Sequence, residues 1–162
     1  MDAVTTTLFE EHLLSDQSAT TPAGTDGGTS IPVNGANVFG DVPSVGDEIE
    51  YWVRIAVAAA DAKLGSKTEA FQVGEIMAIT DWFVITSGRN SRQVRAIVEA
   101  VEEQLIKAGG PKPIRIEGSD TLTWVLVDYG IFVVHVFTDE AREYYDLERL
   151  WKDVPRLDRA SA

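Results

Sequence analysis

Four side chains able to do chemistry or recognition, Trp124, Asp128, Tyr129 and His135, fall within or beside two apolar runs. The runs cover residues 124–127 and 131–137 and are joined by Asp128-Tyr129-Gly130. A polar group buried there without a partner costs roughly 1–3 kcal/mol, so these groups are either internal staples or a site. His135 as a metal ligand would need companions. The only other histidine is His12, and the chain has no cysteine, which excludes thiolate catalysis, disulfides and Cys-based zinc sites. No carboxylate spacing suggests a cation site either. His135 therefore reads as a hydrogen-bonded structural residue and Asp128 as an Asx cap. Trp124 is open between a core residue and an interface anchor, since tryptophan is frequent at hot spots. No metal and no cofactor are expected.

Downstream, Arg142-Glu143-Tyr144-Tyr145-Asp146 combines charges with paired aromatics. As structure, one tyrosine packs, the other faces solvent, and Arg142 pairs with an acid. As an interface, the segment offers the residue types enriched in binding cores.

The elements that must position these residues follow from periodicity. Gly130 permits the positive φ of a tight reversal, so 124–137 is a β-hairpin. A two-residue turn at Tyr129-Gly130 pairs Asp128 with Ile131, Leu126 with Val133 and Trp124 with His135. Trp124, Leu126, Asp128, Val133 and His135 then share one face, and Val125, Val127, Phe132, Val134 and Val136 the other. The second face is uniformly apolar and must be the core side. The first is left for a partner, or for a polar cover by residues 139–148.

A helix is expected from Asp47, with Asp47-x-x-Glu50 as a capping box and Ile49, Trp52, Val53, Ala56, Val57 and Ala60 as its apolar stripe, stopped by Gly65. Strands follow at 69–75 and 82–86, the second apolar on both faces and so central. A helix capped by Ser91 carries Val94, Ile97, Val98, Val101, Leu105 and Ile106, ending at Gly109-Gly110-Pro111. Then come a short strand at 114–116, the hairpin, an acidic break at Thr138-Asp139-Glu140 and a short helix near 146–152. This α-β-β-α-β-β-β-α order implies an α/β (α+β) fold, a mixed β-sheet of about five strands flanked by helices.

The chain of 162 residues suits one domain at 47–154. Residues 1–46 are acidic and rich in Thr, Ser, Gly and Pro, the composition of a disordered extension, with a transient helix at 7–14. Residues 155–162 read as a flexible tail. Residues 1–49 hold eight acidic residues and no Lys or Arg, leaving −4 of the net −12 to the remainder. Such a balance gains nothing from phosphate neutralisation, so direct DNA binding is not expected. Arg89, Arg92 and Arg95 are a local basic patch or simply a solvated helix face. No apolar run approaches the roughly 20 residues that span a membrane. With no secretory signal evident at residue 1 onward, a cytoplasmic protein is expected.

Several motifs together resemble a known family. Asp81-Trp82-Phe83-Val84-Ile85, Ser91-Arg92-Gln93-Val94, Glu117-Gly118, Trp124 with Asp128-Tyr129-Gly130, Val134-His135-Val136-Phe137 and Arg142-Glu143-Tyr144-Tyr145-Asp146-Leu147-Glu148 with Leu150-Trp151 are similar, in order and spacing, to the ribosomal silencing factors (RsfS, also called Iojap-like proteins). The resemblance covers about residues 50–154 and implies a nucleotidyltransferase-like topology. It also implies binding to the large ribosomal subunit through ribosomal protein fourteen, on the face where the small subunit docks. Subunit joining is thereby blocked sterically, and translation is lowered when nutrients are scarce. The family's surface maps onto Trp124, Asp128, Tyr129, Gly130, His135, Arg142, Tyr145 and Asp146. A homodimer is also within the family's range. Two departures are Ile131, where many relatives carry an acid, and the long N-terminal extension.

A nucleotidyltransferase-like topology raises the question of catalysis. Metal-dependent nucleotidyl transfer needs a Gly-Ser followed by a close carboxylate pair, yet neither Gly65-Ser66 nor Gly118-Ser119 precedes one on a strand. No Gly-rich phosphate loop with lysine and no GxSxG elbow occurs. The chain is not expected to be an enzyme. The alternative is a nucleotide- or small-molecule-binding relative of that fold.

Overall fold

A computed structural model of the chain describes residues 44–160. The expectations for the N-terminal extension lie outside the described residues, apart from its last three positions.

Helix α1 (Val45–Ala62) starts one turn's edge earlier than its sequence signature suggests. Ser44 is the N-cap, and Asp47 is the third helical residue that closes the capping box. The Ser44 hydroxyl accepts from the Asp47 amide at 3.2 Å, and the Asp47 carboxylate accepts from the Ser44 amide at 3.0 Å. The Ser44 hydroxyl, donating to that carboxylate at 2.7 Å, and then the Ser44 amide hold the Asp47 carboxyl below the usual range. Helix α2 (Ser91–Lys107) is capped by Asn90 rather than Ser91, through a 3.0 Å bond from the Gln93 amide. The Gln93 side chain donates to the carbonyls of Lys63 and Leu64, fastening the start of α2 to the end of α1.

The strands are β1 (Ser66–Gln72), β2 (Trp82–Gly88), β3 (Arg115–Glu117), β4 (Trp124–Asp128) and β5 (Phe132–Thr138). They form one mixed sheet in the order β1-β2-β5-β4-β3, with β2 and β5 parallel and the other pairs antiparallel. The centre is β5 rather than β2, although β2 is buried along its whole length, as a strand apolar on both faces must be. β1 lies three residues earlier than its alternation suggested, because a bulge between Ser66 and Glu69 consumes the residues after Gly65.

Helices α1 and α2 cover one face of the sheet. Val53, Ala56, Ala60, Val94, Ile97 and Val101 pack there against Val84, Val125, Val127, Phe132, Val134 and Val136. The opposite face is not bare. Helix α3 (Asp139–Tyr145) and a 3-10 turn (Leu147–Trp151) lay Ala141 and Trp151 over Phe71, Phe83, Ile85, Val133 and Phe137, making a second, smaller core. Two expectations are corrected here. The acidic break at 138–140 is the start of a helix, with Thr138 as N-cap and Asp139 and Glu140 in its first turn, where carboxylates favour the helix dipole. The cover over this face is mainly apolar, through Ala141, Leu147 and Trp151, and the expected polar part is confined to the Arg142–Glu148 pair and its neighbours.

Residues 155–160, expected as part of a flexible tail, are a strap along the outer edge of β1. The Gln72 amide donates to the Pro155 carbonyl at 2.8 Å and the Leu157 amide to the Ala70 carbonyl at 2.9 Å. Arg156 pairs with Glu69 at 2.6 Å and lies 4.9 Å above the Phe71 ring. Arg159 binds Asp61 and the Thr68 carbonyl.

Candidate functional site

The β4–β5 hairpin carries the site, and its register differs from the expected one by two residues. Asp128 pairs with Val133, Leu126 with His135 and Trp124 with Phe137. The loop spans four residues, closed by the Tyr129 amide donating to the Phe132 carbonyl at 3.0 Å. Because side chains alternate with a period of two, a two-residue shift leaves every residue on its expected face. Trp124, Leu126, Asp128, Val133 and His135 do share a face, and Phe137 joins them.

On that face Trp124 is held from three sides. Its indole stacks on Phe137 with centroids 4.7 Å apart, meets the Tyr145 ring at 4.9 Å, and donates from Nε1 to His135 Nδ1 at 3.2 Å. A histidine that accepts at Nδ1 carries its proton on Nε2. His135 is buried, edge-on to Phe83, and its Nε2 finds no partner among the described residues. Burial pushes its pKa down to about 3, so the ring is neutral at physiological pH and cannot repel the indole N–H.

A base whose folded pKa is depressed binds fewer protons folded than unfolded. Its contribution is therefore complete above about pH 6.5 and drains away as pH falls towards 3, at about 1.4 kcal/mol per unit. The domain should be about 2 kcal/mol less stable at about pH 5 than at about pH 7.5 in urea unfolding. In His135→Asn, which keeps a polar group but cannot titrate, that difference should vanish. An unchanged pH slope would show that His135 is not its source.

The other expected residues divide by depth. Tyr129 is buried on the helical side, stacked on Phe132 at 4.6 Å, with its hydroxyl pKa raised by burial and then by the Glu102 charge. Asp128 accepts from the Gly130 amide at 2.7 Å, an Asx turn, and Gly130 takes φ +81°. Arg142 is buried. Its Nη1 and Nη2 donate to the Ser66 and Lys67 carbonyls at 2.6 and 2.7 Å, and its Nε pairs with Glu148 at 2.5 Å. It is the acid-paired arginine the sequence allowed for, and it pins α3 to the bulge of β1. Asp146 adopts a left-handed conformation, φ +43°, that ends α3 and starts the 3-10 turn. Tyr145 is 45 % exposed and packs on Trp124, while Tyr144 is 81 % exposed and meets Tyr145 edge to face.

The accessible surface is therefore Trp124, Leu126, Tyr144 and Tyr145. Side chains of β3 fringe it, because register places Arg115 opposite Asp128 and Glu117 opposite Leu126 on the same face. Arg115 pairs with Glu117 at 3.0 Å and reaches Asp128 at 3.7 Å. Sequence reading placed Leu126 on this face but did not bring Arg115 and Glu117 to it. The signal available was alternation in 115–117, but its face depends on a pairing that short strands do not announce. Among the described residues no group of His, Asp or Glu is arranged to hold a metal ion. The geometry is that of a pre-set aromatic patch with a charged fringe, suited to protein recognition.

Residues 47–162 match the family model described as "Ribosomal silencing factor during starvation". The chain is 40 % identical over 106 residues to the ribosomal silencing factor RsfS of Bacillus subtilis, an alignment covering 65 % of this chain and 89 % of that protein. It is 39 % identical over 82 residues to mouse "Mitochondrial assembly of ribosomal large subunit protein 1", covering 49 % and 36 % of the two chains. A crystal structure of a Chromobacterium violaceum protein superposes with a TM-score of 0.61 at 31 % identity, covering 64 % of this chain and 86 % of that one.

Proposed function

Because the chain belongs to the ribosomal silencing factor family, we propose that its Trp124 face docks on the large ribosomal subunit through ribosomal protein fourteen. The folded domain then occupies surface the small subunit needs, and joining is blocked without chemistry. This is a means of lowering translation when nutrients are limiting.

The observation that carries this reading is the preset tryptophan. Trp124 is stacked, hydrogen-bonded and half-exposed on a rigid sheet, so little side-chain entropy is lost when a partner covers it. Tyr144, Tyr145 and Leu126 extend the apolar contact, and Asp128 with the β3 charges forms the rim. Tyr129, Gly130, His135, Arg142 and Asp146 act from behind by fixing the hairpin and α3. The net charge of −12 suits a basic protein partner and steers the encounter. The name of the mouse relative supports a large-subunit target. No described helix is long and apolar enough to cross a membrane, and we place the activity in the cytoplasm.

The test is co-sedimentation with separated ribosomal subunits. The wild-type chain should pellet with large subunits and not small ones. Trp124→Ala, verified as folded, should bind at least about 30-fold more weakly, the loss typical of a hot-spot residue. Equal binding by wild type and variant would remove the Trp124 face from the interface.

A further inference from the structure

We infer that Arg89, Arg92 and Arg95 form a second contact, to RNA phosphates beside the protein docked on Trp124. This rests on the ribosomal reading above. The arginines stand out by what they lack. Arg54, Arg115, Arg142, Arg156 and Arg159 each hold a carboxylate, whereas Arg89, Arg92 and Arg95 form no ion pair among the described residues, and all three are exposed. Of the remaining arginines only Arg149 is also unpaired, and it lies on the 3-10 turn.

Their position matters as much as their charge. Phe137 pairs with Trp124 on one side and with Ser87 on the other, which puts Ser87 two strands, about 10 Å, from the tryptophan. Arg89 follows two residues later at that end of the sheet. Arg92 and Arg95 stand on the first turns of α2, which covers the face opposite the tryptophan, so the patch lies around the end of the sheet from the aromatic surface. Lys63 lies alongside, since its carbonyl accepts from Gln93. The neighbouring acids are Asp139, occupied by the Ser87 hydroxyl at 2.7 Å, Glu140 at the start of α3, and Glu99 one turn beyond Arg95.

The chemistry favours nucleic acid over an acidic protein. The guanidinium fork matches phosphate oxygens in two-point contact. Between the arginines the exposed residues are Asn90 and Ser91, with Gln93 half-exposed, while the apolar Val94 is buried. Such a surface offers hydrogen bonds to a sugar-phosphate backbone but no apolar core for a protein hot spot. The chain's net −12 opposes free-standing RNA binding. Isolated RNA should therefore engage the patch only weakly, at the low salt and high concentrations of a resonance titration, and the patch contributes most once the aromatic contact has delivered it to the subunit.

Two measurements test this on the full chain. Affinity for large subunits is followed between about 50 and 200 mM salt for wild type, Trp124→Ala and the triple variant Arg89→Gln, Arg92→Gln, Arg95→Gln. Each lost phosphate contact lowers the slope of log affinity against log salt by about 0.7–0.9, so the triple variant should flatten it by about 2. Trp124→Ala should weaken binding at an unchanged slope. A triple variant with the wild-type slope overturns the inference. If the wild type binds no subunits, the docking reading has failed instead, and the second measurement decides. In it, a short RNA duplex is titrated at low salt into isotope-labelled protein. Amide and Nε resonances at Arg89, Arg92 and Arg95 should shift, and shifts elsewhere or none overturn the inference. So does an acidic peptide that shifts the same resonances as strongly at equal charge.

Discussion

Arg142→Met should lower the stability of the domain by about 3 kcal/mol in urea unfolding. The arginine is buried, and removing it leaves the Ser66 and Lys67 carbonyls and the Glu148 carboxylate without their donor. Lys67 is already in a left-handed conformation, φ +45°, where a residue with a side chain rarely sits. The guanidinium is what the bulge around it is built against. Arg142→Lys should recover only part of the loss, because one ammonium cannot span two carbonyls and a carboxylate in the same plane. A Met variant within about 0.5 kcal/mol of wild type would mean that water replaces the arginine at no cost. Arg142 would then matter to a partner rather than to the fold.

Gly118→Ala should cost about as much, for a reason unrelated to burial. Gly118 adopts φ +78°, and a Cβ there would stand 2.0 Å from the Trp124 carbonyl oxygen. The obstacle is backbone, which cannot rotate away. A left-handed alanine costs about 1–2 kcal/mol, and forcing the chain apart adds roughly 1–3 more. The strand displaced is β4 at Trp124 itself. Loss of stability should therefore come with a changed Trp124 environment, read by fluorescence against the Trp124→Ala variant as baseline. A stable variant with an unperturbed tryptophan would show that the 118–123 loop relocates freely.

What could be read from the sequence followed the strength of its periodic signals. The stripes of α1 and α2, the doubly apolar β2 and the division of hairpin faces were legible because each rests on several residues that agree. Turn length at 129–132 was not legible. Gly130 fits a two-residue and a four-residue loop equally, and parity alone preserved the face of Trp124. Helix α3 was missed because seven residues carry too few apolar positions to show a period, although Thr138-Asp139-Glu140 held a legible start signal. The burial of Arg142 could not be foreseen, since its partners at Ser66 and Lys67 lie 76 and 75 positions away. The family resemblance mapped onto this hairpin and α3 but did not separate Trp124 and Tyr145, which are at least partly exposed, from His135 and Tyr129, which are buried.

The strap at residues 155–160 has a bearing on how this domain is made. All five strands leave the translating ribosome before it does, and β2 must also wait for β5 to form the parallel centre of the sheet. During that interval the outer edge of β1 presents the unpaired Ala70 carbonyl and Gln72 amide that Leu157 and Pro155 later engage. An open edge of this kind is a template for another nascent chain. Closure by the strap converts a hazardous intermediate into a sealed product, and its two arginine clamps on Glu69 and Asp61 make that sealing step sensitive to ionic strength.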